Sequence, residues 1–409
     1  MPSSLGEVRA AIVDLVVGDE DHALRAAARL TEMGGWDAAL PQAARWGVIA
    51  LLHARLNVAT APPAGVLATL RAESLRGVLR SRAVVERSVE VLQLFEAAGI
   101  EAIAIKGVGV IGTRGARAAA RTTNDLDVVV RERDAAPARA LLRERGFREV
   151  DPPFDRHMSD IARSRQLHNV ARTLRKNNFE VDLHWRFGPR PPAALTPELL
   201  IARAGTVTVG AATFRAAHPV DAVLIAVHHA LRSGFVPENS VRDLCDLAAW
   251  WEDGRAMAAL DELIDAASRS GMATSLLALW GTVLRRAPHH PLRAGYDRLA
   301  AMLGVRASAE AALLERHFEH TLRHGNPARF TLEVFAPRVY ARWLAGAFAQ
   351  TLRPAPVGEH GGETAPERRP LALRLANILP RCWRIVRELG RVEHLRSYRA
   401  VARAQSRFH

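Results

Sequence analysis

Residues 125–130 read Asp125-Leu126-Asp127-Val128-Val129-Val130. Four apolar residues, three of them β-branched, make this a strand. Side chains alternate along a strand, so Asp125 and Asp127 share one face, about 7 Å apart at the Cα level. Two carboxylates so close repel unless a cation or basic group neutralises them. Oxygen-only ligation by carboxylates suits Mg²⁺, which binds one or two carboxylates together with substrate phosphates. A short D-x-D also occurs at ordinary strand ends, so its neighbours decide its meaning.

Downstream, Phe179-Glu180-Val181-Asp182-Leu183-His184-Trp185-Arg186 reads as a second strand. Val181, Leu183 and Trp185 fall on one face, the core side, and Glu180, Asp182, His184 and Arg186 on the other. Asp182 is thus a third carboxylate that a neighbouring strand can bring to the first two. It follows a hairpin turn at Arg175-Lys176-Asn177-Asn178. Upstream, the apolar run Ile100–Ile105 stops at Lys106-Gly107. That places a cation and a glycine at a loop where backbone N–H groups can meet phosphate oxygens. The chain has only two lysines, Lys106 and Lys176, and one of them sits here.

This order of strand, glycine turn, helix, D-x-D strand and later acid resembles the DNA polymerase β-like nucleotidyltransferase superfamily. More narrowly, it resembles the bacterial group described as uncharacterised nucleotidyltransferases. In that group a Lys-Gly motif follows the first strand, an Arg stands four residues before the D-x-D strand, and an acid-x-His-Trp motif follows. Lys106-Gly107, Arg121 and Asp182-Leu183-His184-Trp185 match these in turn. His228-His229 and Arg242-Asp243 stand where the family carries a later His helix and an Arg-Asp pair.

The resemblance implies an α+β fold: a small mixed-sheet polymerase β-like core flanked by N-terminal and C-terminal helical regions. It also implies transfer of an NMP from an NTP to a hydroxyl of a small molecule, peptide or protein by a two-metal mechanism. Asp125, Asp127 and Asp182 would be the catalytic, metal-binding residues for two Mg²⁺ ions. Lys106, Gly107 and Arg121 would position the triphosphate, and His184 would orient Asp182 or touch substrate. Two alternatives stand beside this: an antitoxin-like or regulatory module that acts on a partner, and a catalytically inactive nucleotide-binding protein. The superfamily usually carries Gly-Ser in the first loop. This chain has Gly107-Val108, which speaks for the inactive form, whereas the three intact carboxylates speak against it.

The flanks are helical in pattern. The expected divisions are a helical region at 1–98, the α/β core at 99–217, a helical domain at 218–352, a linker at 353–370 and a basic amphipathic helix at 371–409. The linker is rich in Pro, Gly and Glu. Isolated histidines such as His157 and His168 near the hairpin are secondary candidates for lining the pocket. His228-His229 is read as a core or domain contact, and Arg242-Asp243 as an ion pair or a substrate contact.

The chain of 409 residues carries 56 Lys plus Arg against 43 Asp plus Glu, a formal net charge of +13. A surplus of that size invites a nucleic-acid or anionic-membrane reading. It is concentrated, however: Arg368–His409 holds eleven Arg and two Glu. The tail can dock on its own core, bind a partner protein, contact RNA or rest on an anionic membrane. The core offers no basic surface with interleaved aromatics, so nucleic acid is not the expected partner. Two cysteines, Cys245 and Cys382, preclude a disulfide framework and fit a reducing cytoplasm. The first residues lack a signal-peptide pattern, and no uninterrupted apolar stretch is long enough to span a bilayer.

Overall fold

The computed structural model describes residues 5–59, 62–118, 120–150, 171–188, 191–210, 212–252 and 258–324. His157 and His168, the linker at 353–370 and the tail at 371–409 lie outside the described residues.

Five helices come first: α1 (Leu5–Val17), α2 (Glu20–Glu32), α3 (Trp36–Arg45), α4 (Ile49–Ala59) and α5 (Ala64–Ala97). Asp19 caps α2 by accepting the His22 N–H at 3.0 Å. Gly99, at φ 73°, closes α5, with the Ile100 N–H returning to the Phe95 carbonyl at 2.9 Å. A non-glycine residue there would meet the left-handed penalty.

The core strands are β1 (Ala102–Ile105), β2 (Asp125–Val130), β3 (Arg148–Glu149), β4 (Ala171–Lys176), β5 (Phe179–His184), β6 (Gly205–Val209) and β7 (Ala212–Ala216). They form one sheet in the order β3-β4-β5-β2-β1-β7-β6. β2 runs antiparallel to β1 and parallel to β5. The expected hairpin is β4–β5, with Lys176 opposite Phe179 and Asn177 at φ 54° in the turn. β6 and β7 form a second antiparallel pair.

Helix α6 (Lys106–Arg114) follows β1, and α7 (Ala135–Glu144) follows β2. The chain passes from β1 into α6 without the expected loop, and Lys106 makes the turn at φ 47°. Beyond β5 come α8 (Pro197–Arg203), α9 (Pro219–Arg232), α10 (Pro237–Glu252), α11 (Leu260–Arg269), α12 (Ala273–Leu284) and α13 (Arg293–His324), the last broken at Gly304.

The strand periodicity divides the sheet between two apolar cores. Leu126, Val128 and Val130 of β2 join Val181 and Leu183 of β5 against Phe95 of α5 and Leu142 of α7. Ile103, Ile105 and Val129 point the other way, into a larger core. That core takes Ile12 and Trp46 from the N-terminal helices and Leu244, Trp250 and Trp280 from the later ones. The two helical flanks, read from sequence as separate regions, therefore share one apolar interior. Asp125 and Asp127 lie on the Val129 face of β2, so this second face of the sheet carries the site.

Candidate active site

Parallel pairing of β2 with β5 sets Asp127 directly opposite Asp182, and Asp125 opposite Glu180. Antiparallel pairing with β1 sets Asp127 opposite Ile105, one residue before Lys106. Three carboxylates, one lysine and one histidine are thus gathered by strand register alone.

Asp127 is the hub. It is 5% exposed, and its Oδ1 accepts from Lys106 Nζ at 2.7 Å and bonds His184 Nε2 at 2.9 Å. Burial raises its pKa, but the Lys106 charge and the His184 hydrogen bond and charge outweigh that and hold it well below the usual carboxylate range. Lys106 shows the converse. Burial pulls its pKa down, yet the charge and hydrogen bond of Asp127, with the charges of Asp182 and Asp125, leave it above the ordinary value. The ring of His184 stacks on Phe187 at 6.0 Å, and Phe187 meets His228 edge-to-face at 5.9 Å. His184 thus bonds Asp127 and also lies within 4.8 Å of Asp182, and His228 is buried against Phe187.

Asp125 is less neutralised than Asp127. Burial and then the charges of Asp127 and Asp182 push its carboxyl up to about 6, against the weaker pull of Lys106 and Arg242. Thr123 Oγ1 donates to its Oδ1 at 3.3 Å. Asp182 accepts from Thr173 Oγ1 at 2.5 Å across the β4–β5 pair. Ligand atoms of Asp127, Asp182 and His184 all lie within 4.8 Å of one another. Asp125 stands beside that group and not within it. Two carboxylates and an imidazole at this separation fit a divalent ion, with the carboxylates suiting Mg²⁺ and the imidazole widening the choice toward Mn²⁺ and Zn²⁺. The like charges on half-buried Asp125 and buried Asp127 fit such an ion equally well.

Gly107 is required for packing. A Cβ there would fall 2.2 Å from Thr123 Oγ1, so the missing side chain lets α6 lie against the segment leading into β2.

Arg121 differs from its expected role. Its guanidinium is 6% exposed and grips Asp246 of α10 with Nε at 2.8 Å and Nη2 at 2.9 Å, while Nη1 donates to the Thr122 carbonyl. It is a buried clamp joining the β2 approach to α10, not a phosphate-facing arm. Asp246 lies 125 residues away, so no local pattern announces the pairing. Arg242 and Asp243 do not pair with each other: Asp243 Oδ2 takes His229 Nδ1 at 2.8 Å.

The sequence reading missed Thr173, Thr123 and Asp246. Thr173 was within reach, because counting back from the Asn177-Asn178 turn puts it opposite Asp182.

Among the described residues no helix is long and apolar enough to cross a membrane. Residues 32–284, more than half of the chain, match a protein-family model described as "Uncharacterised nucleotidyltransferase". No curated protein matches the chain significantly.

Proposed function

Because the chain belongs to the uncharacterised nucleotidyltransferases, we propose that it moves an NMP from an NTP onto a hydroxyl of a small molecule, peptide or protein. The observation that carries this is the register of β2 against β5, which opposes Asp127 to Asp182 with Asp125 alongside. Asp125, Asp127 and Asp182 would hold two Mg²⁺ ions. When bound, these supply positive charge against the attacking oxygen, the α-phosphate and the departing pyrophosphate.

The chain's own residues do the rest. Asp182 takes the proton of the acceptor hydroxyl as its oxygen bonds to the α-phosphorus. The bond from that phosphorus to the bridging oxygen breaks, and pyrophosphate leaves with the electron pair. Thr173 fixes the Asp182 carboxylate through its 2.5 Å hydrogen bond. His184 fixes Asp127 through the same Oδ1 that Lys106 holds. The ammonium of Lys106 and the amide of Gly107, in the first turn of α6, hold phosphate oxygens.

Label in the α-phosphate separates nucleotidyl transfer from phosphoryl transfer. Wild-type protein with α-³²P triphosphates, a divalent metal and cell extract is expected to label an acceptor. γ-³²P triphosphates are expected to leave it unlabelled, and Asp182→Asn to lose the α label. Full labelling by Asp182→Asn would remove the assignment.

One observation favours the non-catalytic reading. Lys106 Nζ already neutralises Asp127 at 2.7 Å, as a resident cation would. Under that reading, neither wild type nor Asp182→Asn labels an acceptor.

A further inference from the structure

Arg242 lies on α10 one helical turn before Asp246. Residues at that spacing ordinarily pair along a helix. Here Arg121 occupies both oxygens of Asp246, and the neighbouring Asp243 is taken by His229. Arg242 keeps one long bond, from Nη2 to the Trp46 carbonyl at 3.4 Å. Among the described residues it pairs with no carboxylate.

The fold nevertheless holds this guanidinium in place. Gly47, at φ 67°, forms the turn between α3 and α4. A Cβ on Gly47 would fall 1.9 Å from Arg242 Nη2 and 2.7 Å from its Cζ. The glycine face is therefore the floor on which the guanidinium lies. The Gly47 carbonyl accepts from Thr122 Oγ1 at 3.3 Å, which ties this floor to the segment that runs into Asp125. Arg242 is half-buried, and its charge is felt by Asp125. A partly desolvated, fork-shaped cation without a carboxylate partner is poised for an incoming anion.

We propose that Arg242, laid against Gly47, binds the polyphosphate of the nucleotide at the Asp125 edge of the pocket. This rests on the nucleotidyltransferase reading and gives Arg242 the contact expected of Arg121. It acts by positioning and takes no part in bond making.

The test compares binding of ATP, GTP, CTP and UTP, and of the matching monophosphates, each with Mg²⁺, by calorimetry. Wild type is expected to prefer at least one triphosphate over its monophosphate. Arg242→Ala and Arg242→Gln are expected to weaken the triphosphate by about 10- to 100-fold, as for loss of a charge-assisted hydrogen bond. The monophosphate should be nearly unaffected. Gly47→Ala, which pushes the guanidinium off its floor, should behave alike, and Arg242→Lys should fall between.

Equal weakening of triphosphate and monophosphate would mean a structural role and overturn the proposal. So would an unchanged preference in Arg242→Gln. If wild type binds none of the eight nucleotides, the nucleotide reading itself fails, and this inference fails with it.

Discussion

Neutralising Asp125 and neutralising Asp127 are expected to change stability in opposite directions. Asp125 carries a carboxyl raised from 3.8 to about 6. At about 1.4 kcal/mol per tenfold change in proton affinity, that rise sets a ceiling of about 3 kcal/mol. The sign follows from proton binding. Between about pH 4 and 6 the folded protein holds a proton that the unfolded chain has released, so stability falls as pH rises through that window. The full penalty is present above pH 6. With partial solvent contact and local relaxation, Asp125→Asn should stabilise the metal-free protein by about 1–2 kcal/mol at pH 7.5. The gain should fade toward pH 4.

Asp127→Asn instead strands the Lys106 ammonium and removes the His184 partner. Breaking a fully buried pair costs about 3–5 kcal/mol. Because the Lys106 side chain is 26% exposed, a loss of about 2 kcal/mol is expected. Urea unfolding in EDTA at pH 7.5 and pH 4.5 reads both effects. If Asp125→Asn destabilised the protein at pH 7.5 as much as Asp127→Asn does, the charge assignment within the pocket would be refuted.

Further outcomes follow from the same contacts. Gly107→Ala should lose about 1–3 kcal/mol in chemical denaturation, because its methyl group must displace Thr123. Arg121→Met should lose about 3–5 kcal/mol by leaving Asp246 buried without its partner. Adding Asp246→Leu should recover much of that, and a double-mutant cycle reads the coupling. Wild-type stability without metal should fall below about pH 4, where Asp127 of the unfolded chain takes up a proton while the folded carboxylate, held by Lys106, stays ionised. An acid titration followed by circular dichroism checks this, and Asp127→Asn should show a smaller fall.

The strands that carry the site were legible because period-2 alternation separates Asp125 and Asp127 from Leu126 and Val128 without any tertiary information. The same alternation assigned Asp182 and His184 to one face of β5, and the Asn177-Asn178 turn supplied the hairpin register. The helical flanks were legible as helices, but their shared interior was not. Ile12 and Trp280 join one core only after the chain has folded, and nothing local distinguishes one apolar helix face from another. Arg121 was misread for a related reason: its position before the D-x-D strand is visible, but its buried partner on α10 is not. The start of α6 at Lys106 was hidden because a left-handed lysine runs against residue preference, and only tertiary packing holds it there.

Metal binding tests the central claim most directly. Mn²⁺ titration followed by electron paramagnetic resonance, with and without a triphosphate, measures whether the Asp125–Asp127–Asp182 pocket takes an ion. Wild type is expected to bind Mn²⁺, more tightly with the nucleotide present. Asp127→Asn and Asp182→Asn are expected to lose that binding. Retention of wild-type Mn²⁺ affinity in both variants, or no binding by wild type even with nucleotide, would contradict the account.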